Sequence, residues 1–173
     1  MTINCEIEKC LFNSKDNVVE EIIKLLSTAK SSIYVMHFWF SWKPIADALI
    51  DAHNRGVKVN LLTDQRSIVK YMQDDQQTYS QSVPEYLNDN GIKRIRIYLN
   101  DHLMHHKAII ADDIVTIGSL NLYEQSIYEN NENVISIKSL EVSEFYKTEF
   151  ESIFENCLTF SNALETTKNI PRN

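Results

Sequence analysis

Strand-length apolar runs alternate along this chain with segments whose apolar residues recur at helical spacing, and that alternation sets the fold class. Ile33–Phe40, Val57–Leu62 and Ile92–Leu99 read as strands, while Ile45–His53 and Pro84–Asn90 between them read as helices. Pro44 opens the first of these helices and Gly56 stops it; Asn90-Gly91 stops the second. Upstream, Ile3–Phe12 reads as a strand ended by Asn13-Ser14. Val18, Ile22, Leu25, Leu26 and Ala29 then form a helical stripe with Ser14 or Asp16 as its cap. Downstream come strands at His105–Ala111 and Ile114–Ile117, joined tightly at Asp112-Asp113, a short helix from about Asn121, and a strand at Asn133–Ile137. A last helix carries the stripe Val142, Phe145, Tyr146, Phe150, Ile153, Phe154 and Cys157. The order predicts an α/β fold: a mixed, largely parallel β-sheet sandwiched between helices in an αβα arrangement.

Three prolines and three glycines in 173 residues leave little irregular chain. No repeat or linker divides it, so residues 1–160 read as one domain and 161–173 as a polar, fraying tail. The polar segment Gln65–Ser82 is the least determined part. With 43% apolar residues, a chain of this length buries a core without disulfides or a structural metal. Cys5, Cys10 and Cys157 are an odd set without a paired spacing, and read as buried or partly buried free thiols in a reducing compartment. Met1–Cys10 lacks the apolar stretch of a signal peptide, and no run approaches bilayer length. A cytoplasmic protein without stable membrane association is expected. A net charge of −7 argues against a tight nonspecific grip on duplex nucleic acid, although a local basic site can sit on an acidic body.

The chemistry concentrates in His105-His106-Lys107, Asp112, Gly118-Ser119-Leu120-Asn121 and Glu132. In a strand, His105 and Lys107 share a face. An imidazole beside an ammonium suits an anionic phosphorus centre: lysine neutralises the equatorial oxygens while histidine attacks or moves a proton. Ser119 and Asn121, with nearby backbone N–H groups, are placed to hold phosphate oxygens. Gly118 permits close approach of backbone or substrate. Asp112 has the opposite parity and reads as a turn or packing residue.

The pattern His-x-Lys-x4-Asp followed by Gly-Ser-x-Asn resembles the signature of the phospholipase D superfamily, as do the order of elements and the segment Ile45–Val59. Five residues separate Asp112 from Gly118, one fewer than the family usually has. A tighter hairpin at Asp112-Asp113 accounts for this; a register slip that misplaces Ser119 is the alternative. The resemblance implies a metal-independent phosphodiesterase without cofactor, acting through a phosphohistidine on His105. Glu132 would orient His105, with Glu129 the weaker candidate. A second histidine would protonate the leaving group. Only one such motif occurs, since His37 and His53 are followed by Trp39 and Arg55 rather than lysine. The second histidine then comes from another chain in a homodimer. Small single-motif members are mostly nucleases, so DNA or RNA is the expected substrate, single strands ahead of duplex. A phospholipid hydrolase or transferase and a catalytically silent binding module are the rival readings.

His102, His105 and His106 with Asp101 suggest a metal site, but strand parity sets His106 apart from His105, and no metal is expected. In the aromatic run Phe38-Trp39-Phe40-Ser41-Trp42, core packing competes with base stacking, and Trp42 is the residue expected nearest a substrate groove. Lys93, Arg94 and Arg96 form one small basic cluster, and Arg66 with Lys70 another; a solvated surface is the plainer reading of each.

Overall fold

The computed structural model describes residues 3–68 and 81–168. Most of Gln65–Ser82, Lys70 included, lies outside the described residues. The elements run β1 (Glu6–Phe12), α1 (Val18–Thr28), β2 (Ser32–His37), α2 (Lys43–Asn54), β3 (Lys58–Asp64), α3 (Val83–Asp89), β4 (Ile95–Tyr98), β5 (Lys107–Ala111) and β6 (Ile114–Gly118). They continue as α4 (Glu124–Tyr128), β7 (Asn133–Lys138), α5 (Leu140–Phe154), β8 (Leu158–Thr159) and α6 (Phe160–Lys168).

One sheet holds all the described strands in the order β1-β7-β6-β5-β2-β3-β4-β8. It is a mixed sheet packed with helices, as the element order implied, but the expectation that it is largely parallel is corrected. Only β2–β3 and β3–β4 pair in parallel. The hairpin β5–β6 inserts beside β2 antiparallel, and β7 and β1 extend the sheet antiparallel from there. A tight turn joins β5 directly to its antiparallel neighbour β6, whereas β2 and β3 are each followed by the helical crossover that a parallel partner needs.

The inner strands are buried on both faces. Ile33, Val35, Leu61, Ile97 and Ile109 point to the side covered by α1, α2 and α3. Met36, Leu62, Ala108 and Ile110 alternate with them and meet Phe150 and Phe154 of α5. Full burial of side chains such as Phe40 and Phe150 contributes about 1.5–3 kcal/mol each. Asn17, rather than Ser14 or Asp16, caps α1 by accepting from the Glu20 N–H; Asp16 accepts from Phe12 N–H instead. Phe145, counted in the helical stripe, is exposed. Of the tail expected to fray, residues 161–168 instead continue α6, which buries Ala163 and Thr167, and the rest lies outside the described residues. Cys5 and Cys10 are exposed rather than buried, because the edge strand β1 has little packed over its face; Cys157 is half-buried.

Candidate active site

The hairpin β5–β6 turns through a two-residue loop, with Ala111 opposite Ile114 and Ala108 opposite Ile117. Asp112 takes a positive φ of 54°, and this tight turn accounts for the short Asp112–Gly118 spacing without a register slip. The Asp112 carboxylate accepts hydrogen bonds from the backbone N–H groups of Lys30, Ser31 and Ser32 at 2.8, 2.9 and 3.0 Å. Burial works to raise its pKa, but these donors outweigh burial and hold it below the usual carboxylate range. Asp112 therefore ties the hairpin to the start of β2.

At the other end of the hairpin, His105 precedes β5 and Lys107 begins it. The Lys107 ammonium lies 3.3 Å from His105 Nδ1, 3.4 Å from Nε2 and 3.1 Å from the His105 carbonyl oxygen. Burial and then the charge of Lys107 hold the His105 imidazole below its ordinary pKa. Burial also draws Lys107 below the ordinary lysine value, against the opposing pull of Glu132. A neutral imidazole beside a cation is the state a nitrogen nucleophile requires. An open cleft of about 390 Å³ reaches both residues and is lined by Gly118, Asn133 and Tyr146 among others.

Gly118 is demanded by the sheet. A Cβ there would stand 2.0 Å from the Asn133 carbonyl oxygen, so only glycine lets β6 and β7 close at this point. Ser119 follows and donates from Oγ to Glu132 Oε2, while accepting from Asn133 N–H at 3.1 Å. Ser126 donates to Glu132 Oε1 at 2.7 Å, and Asn130 donates to the same oxygen at 3.1 Å. Burial acts to raise the Glu132 pKa; the three donors prevail and the carboxyl ends below its usual range. Asn121 offers its N–H to Ser126 Oγ at 2.9 Å, and its side-chain oxygen is buried without a partner.

Lys107, Ser119, Asn121 and Glu132 are thus drawn to one end of the central strands with His105. Within the chain, however, Glu132 is hydrogen-bonded to Ser119, Ser126 and Asn130 and not to His105. The short helix expected from Asn121 begins at Glu124 instead, because Leu122 N–H and C=O are spent on Trp39, Ser41 and Trp42. Trp42 lies against the core and edge-on to Tyr128, 5.5 Å between ring centres. It is Phe38 that packs on His105, at 4.5 Å.

Three features escaped the sequence reading. Asn13 donates to the carbonyls of Ser126, Ile127 and Asn130 and accepts from Glu132 N–H at 2.8 Å, so the end of β1 braces the loop carrying Glu132. His37, opposite Lys107 on β2, is 3% exposed, and its Nδ1 has no partner. Asp64, 1% exposed, accepts from Met104 N–H and from Arg66 beside the site. Among the described residues, no group of three or more His, Cys, Asp or Glu side chains converges to hold a metal ion. His106 is solvent-exposed. Arg94 is committed to Glu151 and Asn60, and Arg96 stacks with it on Phe154.

A mixed sheet that presents His-x-Lys and a Gly-Ser-x-Asn turn at one end defines a phospholipase D-like domain. The chain belongs to the phospholipase D superfamily: the family model described as cardiolipin synthase, PLD-like domain, matches residues 22–154. Among curated proteins, the mitochondrial cardiolipin hydrolases of Xenopus tropicalis and mouse are 29% and 31% identical over 147 residues, 84% of this chain. The chain spans 65% and 62% of their lengths, less than two thirds. Among solved structures, Nuc from Salmonella typhimurium, a phospholipase D family member, superposes with a TM-score of 0.76 at 22% identity. That match covers 91% of this chain and 99% of Nuc. NucT from Helicobacter pylori follows at 0.71 and 22% identity, covering 90% and 100%.

Proposed function

We propose that the chain is a metal-independent phosphodiesterase that cleaves single-stranded DNA or RNA through a phosphohistidine on His105, in an active site shared by two copies. The observation that carries this reading is the Lys107 ammonium lying against both ring nitrogens of a pKa-lowered His105 in an open cleft. The neutral His105 nitrogen attacks phosphorus, and Lys107, Ser119 and Asn121 stabilise the charge that builds on the phosphoryl oxygens. The bond from phosphorus to the leaving oxygen breaks as the imidazolium of the partner subunit's His105 gives that oxygen a proton. Water then attacks phosphorus, the partner imidazole takes its proton, and the P–N bond breaks. Glu132, anchored by Ser119 and Ser126, supplies the negative charge that favours the protonated state of an imidazole in this step. The nucleic-acid reading draws on the single motif and on the near-complete coverage of Nuc and NucT.

A phospholipid reading has its own support in the relatives named cardiolipin hydrolase and in the matched family model. Those vertebrate relatives are mitochondrial by name, whereas this reading keeps the enzyme cytoplasmic; among the described residues no helix is long and apolar enough to cross a membrane. The test is hydrolysis of labelled single-stranded DNA, RNA and cardiolipin vesicles in EDTA, by wild type and His105→Ala. Oligonucleotide cleavage that survives chelation and disappears in the variant is expected. Turnover of vesicles alone would shift the substrate to phospholipid. Identical behaviour of the two proteins in every assay would leave a binding module, and loss of cleavage in EDTA would sink the metal-free mechanism.

A further inference from the structure

The His105–Lys107 pair accounts for one phosphate, yet a second cation stands beside it. Arg66 follows the end of β3, and its guanidinium lies 5.3 Å from the centre of the Phe38 ring. Lys107 Nζ lies 5.4 Å from the same ring, which itself packs on His105. Arg66 is not a loose surface residue. Its backbone N–H and its Nη1 both donate to Asp64 Oδ1, at 3.1 and 3.0 Å, and Asp64 is 1% exposed. The other Asp64 oxygen accepts from Met104 N–H, one residue before His105. A buried carboxyl thus links the arginine to the segment that presents the histidine. One guanidinium nitrogen is spent on Asp64, the group carries five N–H donors in all, and the side chain is 41% exposed. A planar guanidinium over an aromatic face is a common recognition surface for phosphate and base together.

Resting on the nuclease reading, we infer that Arg66, held by Asp64 and backed by Phe38, binds the phosphate next to the scissile one in a polynucleotide. A strand whose scissile phosphate rests on Lys107 brings its neighbouring phosphate within reach of Arg66, because both cations border one ring. Phe38 then offers its remaining surface to the intervening nucleotide. Arg66 is therefore a specificity residue that favours chains of phosphodiesters over an isolated one.

The experiment compares wild type, Arg66→Ala and Arg66→Lys on a labelled single-stranded oligonucleotide, on bis(4-nitrophenyl) phosphate, which has one phosphate, and on cardiolipin vesicles. The expected result is a fall of about 10- to 100-fold in the oligonucleotide-to-model-diester ratio of kcat/KM for Arg66→Ala, the loss of one charge-assisted hydrogen bond. Arg66→Lys should recover part of it, and the salt dependence of oligonucleotide binding should become shallower by about 0.7 in log–log slope for the alanine variant. An unchanged ratio, with wild type cleaving oligonucleotides normally, overturns the inference alone. A wild-type protein that hydrolyses the model diester but no oligonucleotide overturns the nuclease reading and this inference with it. Loss confined to vesicles overturns it in favour of a lipid with two phosphates.

Discussion

His37 offers a quantitative test of how the strand beneath Lys107 is built. It lies opposite Lys107 in the β2–β5 ladder, 3% exposed, with an unpartnered Nδ1. Burial, and then the charge of Lys107, push its pKa from 6.5 down to about 3. The native protein refuses a proton that the unfolded chain accepts below pH 6.5, so this residue's stability contribution is full above that value and is lost as pH falls from 6.5 toward 3. At pH 5 the linkage amounts to about 2 kcal/mol, and at pH 7.5 to nearly nothing. Urea unfolding of wild type and His37→Leu at both pH values isolates the term, because every other titrating group is common to the two proteins. Wild type should lose about 2 kcal/mol more than the variant on going from pH 7.5 to 5. The variant should match or exceed wild type at pH 7.5, since it removes a buried unpaired nitrogen. Equal losses in the two proteins would refute the buried, neutral state assigned to His37.

Gly118→Ala should cost about 3 kcal/mol and most of the activity, because its Cβ meets the Asn133 carbonyl and pushes β7 away from Ser119; thermal melts and turnover read both effects. Asp112→Ala should lower stability by about 2 kcal/mol with Asp112→Asn less damaging, seen in the urea midpoint. Ser126→Ala removes one of the donors that hold Glu132 and should reduce kcat about tenfold while leaving KM within a factor of about two, measured under saturating substrate.

How much of this was readable beforehand follows from how local each feature is. The motif residues are close in sequence, and the two-residue spacing anticipated the 3.3 Å approach of Lys107 to His105, although β5 begins only at Lys107. Strand direction is a long-range property: nothing near Lys107–Ala111 reveals that this strand inserts antiparallel beside Ser32–His37. Which aromatic of residues 38–42 meets the histidine also depends on the path of the chain beyond the strand. β2 ends at His37, the chain then bends, and Phe38 rather than Trp42 turns to the histidine. Asn13 reaches Glu132 from the far end of the chain, and Ser126 from six residues upstream through a turn that no spacing signal announces. Arg66 was visible as a charge, but its meaning depends on a buried Asp64 two residues earlier and on Phe38 across the sheet.

The most direct measurement is a search for the covalent intermediate. Wild-type protein would be mixed with excess substrate, quenched within the first turnover in alkaline denaturant, which preserves a P–N bond, and digested for peptide mass spectrometry. The account predicts a phosphoryl adduct on His105 that is absent from His105→Ala. Steady turnover with no adduct on His105, or an adduct on another residue, would contradict it.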